Sequence, residues 1–172
     1  MKFTSKLFLA WTSIFLIFYI TVIAIIGLFW GIRIQFWQWL LVFLIAGVLP
    51  PAVLTWLFYK RLDYMESENQ EPPTFSGQKK ATFVFKTRSN NHYAELLQKI
   101  DRSFIVSYSD KEARIVKFRT DSRIMSWGVG GYVKLLDANK VEAIVYPMIA
   151  DSKREEKILL QTLRLLKAVL NP

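Results

Sequence analysis

The sequence predicts an integral membrane protein: an N-terminal two-helix transmembrane hairpin joined to a small α+β domain. Three observations lead there. Arg33 is the sole charged residue between Lys6 and Lys60. The chain beyond residue 80 alternates apolar and charged positions as soluble strands and amphipathic helices do. The 172 residues also contain no cysteine, which excludes a disulfide-stapled scaffold, thiol catalysis and Cys-ligated metal sites. The composition of 52% hydrophobic residues with a net charge of +9 is thus an average over unlike parts. We divide the chain into a hairpin over 1–60, a polar linker over 61–80 and a soluble domain over 81–172.

The uncharged runs are Leu7–Ile32 and Ile34–Tyr59, 26 residues each. About 20 apolar residues cross a bilayer core as a helix, and backbone in lipid must bond to itself. The first run is too long for a signal-peptide core and lacks an Ala-x-Ala site near Gly27-Leu28-Phe29-Trp30. The short link around Arg33 predicts an antiparallel hairpin. Lys2 and Lys6 flank one end, Lys60 and Arg61 the other, which places both termini in the cytoplasm or its stromal equivalent. Trp30, Trp37 and Trp39 cluster at the outer turn, and Trp11, Trp56 and Tyr59 near the inner face, as an interfacial belt. Pro50-Pro51 predicts a kink inside the second span, read as a tolerated bend rather than a gate. Neither span contains an Asp, Glu, Lys or His, so a proton relay is not expected.

Residues 61–80 carry Asp63, Glu66, Glu68 and Glu71, then Pro72-Pro73, then Lys79-Lys80. This is a domain boundary by composition. Lys79 and Lys80 are candidate contacts to anionic headgroups.

The soluble part has a net charge of +6. Ala81–Thr87 is the first strand, with Phe83 and Phe85 on one face. Arg88–Asn91 supplies turn and cap residues. Tyr93, Leu97, Ile100 and Phe104 recur at helical spacing, so His92–Arg102 is a helix. Phe104–Tyr108 and Arg114–Thr120 are strands. Lys117 and Arg119 alternate with Val116 and Phe118, the pattern of a sheet with one solvated face. Ser126–Val129 leads through Gly130-Gly131 into Tyr132–Leu136. Asp137–Lys140 turns, and Val141–Met148 completes a hairpin. Ser152 and Glu155 form a capping box opening a last helix. Its Leu159, Leu163, Leu166 and Leu170 stripe packs on the sheet. The order is β-α-β-β-β-β-α, with two helices over an antiparallel sheet.

No catalytic set emerges. His92, the single imidazole, sits at a helix start where a surface or capping role suits it. Gly128-x-Gly130-Gly131 precedes a strand, unlike a phosphate loop, and suits a bulge or a close backbone approach. Acidic residues are scattered singly, so no metal site, cofactor or carboxylate pair is expected. Arg114, Lys117, Arg119 and Arg123 form a basic run. It serves either as a solvated face or as a contact to anionic lipid; nucleic acid is not expected as a partner. Trp127 is either a core anchor or an exposed contact. The candidate membrane or partner contacts are therefore Lys79, Lys80, Lys117, Arg119, Arg123 and Trp127. In layout alone, two spans and then a small α+β domain, the chain resembles some membrane-complex assembly factors, such as the photosystem I assembly proteins. No site residue carries over from that likeness. The expected function is a non-enzymatic accessory, assembly or scaffold protein bound to the bilayer and a membrane-protein partner. The alternative is a tethered module that binds a small or lipidic ligand between sheet and helices.

Overall fold

The computed structural model describes residues 3–30, 35–87, 91–120, 128–137, 139–148 and 153–171. The chain divides into two compact units, Met1–Leu62 and Asp63–Pro172.

In the first unit, the uncharged runs are helical. Helix α1 is Phe3–Trp30. The second run forms α2, Phe36–Val42, then a π-helical turn, Phe43–Val48, then α3, Leu49–Glu66. Both long helical stretches are apolar and long enough to cross a membrane by length and composition. The prolines expected to kink the second run lie directly after the π turn. Pro50 and Pro51 fall in the first turn of α3, which runs on from the π turn without a break, the Leu49 N–H donating to the Leu44 carbonyl, so each proline removes a donor from a continuous helix. The irregularity sits one turn earlier, in the wider π turn. Proline rings clash with carbonyls four residues back, here Ala46 and Gly47, and widening the helix at those residues relieves the crowding.

α1 packs against the π turn. Tyr19 and Ile23 are buried there. The Tyr19 hydroxyl donates to the Trp39 carbonyl at 3.3 Å, and the two rings meet edge to face. The hydroxyls of Thr12, Ser13 and Thr21 donate to carbonyls one turn back, at 2.8–2.9 Å. These four hydroxyls thus find acceptors within the helices themselves.

The second unit is a five-stranded antiparallel sheet with two helices. Its elements are β1 (Lys79–Val84), α4 (His92–Asp101), β2 (Ile105–Asp110), β3 (Ile115–Arg119), β4 (Val129–Asp137), β5 (Lys140–Pro147) and α5 (Lys153–Leu170). The strand order is β1-β5-β4-β3-β2. Strands β2 to β5 form a meander, and β1 adds to its far edge beside β5. The expected element order is the one observed. Arg88–Asn90 and Ser152 lie outside the described residues; of the cap residues, Asn91 accepts from the Ala94 N–H at 3.2 Å and starts α4.

One face of the sheet carries α4 and α5. Phe85, Val116, Phe118, Val133, Val141 and Val145 meet Leu96, Ile100, Leu159, Leu166 and Leu170 there. The leucine stripe of α5 points inward as its 3–4 spacing requires. At one sheet edge, the β2 ladder shifts register between Val106 and Tyr108. The other edge presents Lys79 and Lys80. A bulge and edge lysines both discourage pairing with a further strand.

Gly130 and Gly131 sit in regular register, with Gly131 opposite Phe118 and Gly130 opposite Tyr146. A Cβ on Gly131 would overlap the Phe118 ring, and one on Gly130 the Tyr146 ring. The glycine pair therefore makes room for one aromatic ring on each face. It is a close approach, not a bulge. Gly131→Ala should destabilise the sheet domain by about 1–3 kcal/mol through overpacking, measured by urea unfolding of the full chain in detergent. An unchanged midpoint would contradict that packing.

Candidate functional site

The most concentrated polar chemistry lies on the sheet face opposite the helices. Ile115, Lys117, Tyr132, Ile144 and Tyr146 point there, from the central strands. This face is not solvated. Residues 63–78, within the polar linker expected over 61–80, lie over it. α3 continues to Glu66, and the chain then turns back across the sheet before entering β1. Tyr64 packs with Ile115, Tyr132 and Ile144, while the Tyr64, Phe75 and Tyr146 rings meet one another at centroid distances of 4.9–6.1 Å.

Lys117 is the centre of the arrangement. It is fully buried, with 0% exposure, which corrects its placement on a solvated basic face. Its ammonium donates to the carbonyls of Tyr64 and Ser67, each at 2.8 Å. It also lies 4.1 Å from the centroid of the Tyr64 ring and 5.2 Å from that of Tyr108. The two carbonyls belong to the end of α3, where helical acceptors lack donors and the helix dipole favours a cation. The ring faces add cation–π attraction. Burial pulls the ammonium down from its ordinary value of 10.5 to about 8.

Around it, the covering segment is held mainly through its backbone. The Tyr132 hydroxyl donates to the Gln70 carbonyl at 3.1 Å. The Tyr64 hydroxyl donates to the Glu71 carbonyl at 2.6 Å. The Gln70 amide donates to Asp110 at 2.9 Å. Asp110 also accepts from the N–H groups of Glu112 and Ala113, closing the β2–β3 turn. Those bonds, the Ala113 N–H foremost, hold its carboxyl below the usual range. Burial pushes Tyr132 up to about 12, helped by the Glu142 charge.

The other predicted contacts do not gather at Lys117 as one basic patch. Lys79 pairs with Glu156 and Lys80 with Glu142, each at 2.8 Å. The positive charge of both edge lysines is therefore offset within the domain. Arg119 ends β3, half-buried, opposite Ile105 and Gly130. Arg123 and Trp127 lie outside the described residues. His92 begins α4 and is half-buried. Among the described residues, no three His, Asp or Glu side chains converge as a metal site. The space between sheet and helices holds the packed side chains of the core.

Tyr64, Ser67, Gln70 and Phe75 were not singled out from sequence, yet they organise this face. A signal for them exists. Tyr132, Ile144 and Tyr146 alternate with Val133, Ala143 and Val145, so β4 and β5 are apolar on both faces, as strands buried on both sides are. Compared with protein-family models and with curated proteins, the chain matches none.

The depressed Lys117 value has a signed consequence. Between pH 8 and 10 the unfolded chain binds more protons at this residue than the folded one. Its contribution to stability therefore rises with pH in that window. The raised Tyr132 acts oppositely, but only as pH passes 10. Unfolding midpoints of wild type and Lys117→Met should therefore diverge, with wild type gaining from pH 8 to 10. A difference that stays flat across that range would contradict a buried ammonium.

Proposed function

We propose that this chain is an integral membrane protein whose second unit serves as a non-enzymatic accessory, assembly or scaffold domain. The helical hairpin anchors it, and the domain contacts a membrane-protein partner or the membrane surface. The observation that carries the anchor is the outward apolar surface of the long helices. Leu28 is 84% exposed, Phe29 80% and Trp56 75%. Apolar surface left in water costs about 25 cal/mol per Å², and lipid removes that cost. The π turn and the proline pair suit the same setting, since spanning helices tolerate such adjustments when neighbouring groups serve the backbone.

Lys2, Lys6, Lys60 and Arg61 against a lone Arg33 support an orientation with both termini in the cytoplasm or its stromal equivalent. The scaffold role draws on the way the polar groups around Lys117 are used. Their donors go to backbone carbonyls of residues 64–71, which fastens a cover over the sheet rather than arming a reactive centre.

Alkaline carbonate extraction tests the anchor: the full chain should stay in the membrane pellet, and release into the supernatant would overturn it. Protease added outside sealed cells should leave residues 81–172 intact; cleavage there without permeabilisation would reverse the orientation. Gentle detergent solubilisation should recover a stoichiometric membrane-protein partner, and a lone monodisperse chain would count against the scaffold role.

A further inference from the structure

Lys79 and Lys80 are paired and Lys117 is buried, but another charged surface emerges on α5. Its inward side is Leu159, Thr162, Leu166 and Leu170, all buried. Its outward side presents Lys157, Leu160, Gln161, Arg164, Leu165 and Lys167. These positions recur at spacings of three and four, so they share one face. Lys157, Arg164 and Lys167 form no ion pair among the described residues. The exposed acid at the margin, Glu156, is already engaged by Lys79 at 2.8 Å. The face is therefore cationic, and it also leaves Leu160 43% and Leu165 49% exposed.

We propose that this face of α5 rests on the anionic headgroups of the leaflet beside it. The inference rests on the membrane anchoring argued above. Two features favour lipid over an acidic protein. A chain held by a bilayer meets that surface at high effective concentration without needing a partner. Long lysine and arginine stems flanked by leucines also match an interface, where charged heads reach phosphates and apolar parts enter the headgroup boundary. Attraction of basic residues to an anionic surface then selects the lipid by charge.

The absence of cysteine from the sequence makes the test direct. Gln161→Cys in the full chain gives a single labelling site at the centre of this face. The fluorophore-labelled protein is reconstituted into phosphatidylcholine alone or into phosphatidylcholine with phosphatidylserine, each containing a headgroup quencher. Quenching should be strong only with phosphatidylserine, and molar salt should abolish it. Combined Lys157→Glu, Arg164→Glu and Lys167→Glu should weaken it by about tenfold or more. Equal quenching in both bilayers, or quenching indifferent to salt, would overturn the proposal. So would a label shielded by a co-purified acidic protein in both. The bilayer comparison uses no charge variant, so a misfolded variant does not decide it. Carbonate extraction separates the two readings. A chain that stays in the pellet with an unquenched label keeps the anchor and loses this contact; a chain that extracts loses both.

Discussion

A sheet with two apolar faces must be covered twice, and the second unit is built around that constraint. The helices cover one face. The other is closed by residues 63–78, and the buried Lys117 ammonium is what makes this cover specific. A desolvated ammonium is tolerable only where donors and charge are met. The end of α3 supplies two carbonyls, and Tyr64 and Tyr108 supply ring faces. The same contacts satisfy carbonyls that a helix end leaves open. Lysine and cover are thus mutually dependent: each without the other leaves buried polar groups unmet.

That dependence explains how differently the parts of the fold could be read from sequence. The two long apolar helices follow from uncharged runs, and the order of strands and helices and the inward stripe of α5 from apolar periodicity, both properties of side chains. At Gly130 and Gly131 the sequence left a bulge and a close approach both open, and the Tyr146 and Phe118 rings packed against them decide for the approach. The cover was not legible. Its anchors are the carbonyls of Tyr64, Ser67, Gln70 and Glu71, and backbone acceptors leave no trace in residue pattern. Its side chains are mostly polar, so composition marks it as a linker. Lys117 misled for the complementary reason. A lysine alternating with Val116 and Phe118 reads as solvent-facing unless the chain that buries it is known. The apolar character of both faces of β4 and β5 was the clue.

The candidate contacts changed with this geometry. Lys79 and Lys80 guard the edge of β1 while pairing with Glu156 and Glu142. Lys117 is internal. Among the described residues, an accessible cationic surface lies instead on the outward side of α5, opposite its inward leucines. The first unit obeys a separate rule. Tyr19, Thr12, Ser13 and Thr21 direct their hydroxyls to helix carbonyls, and Pro50-Pro51 follows directly on a π turn within a continuous helix. Those four hydroxyls are matched locally, while many large apolar side chains of the unit are exposed.

The central claim is that residues 67–78 belong to the folded domain. Amide hydrogen exchange of the full chain in detergent measures this most directly. Ser67, held to the Asp63 carbonyl at 2.8 Å, and Gln78, held to the Phe75 carbonyl at 3.3 Å, carry amides that report on the cover. They should be protected in wild type and lose protection in Lys117→Ala, while β4 and β5 amides remain slow. Exchange of the 67–78 amides at the rate of an unstructured peptide in wild type would contradict the account.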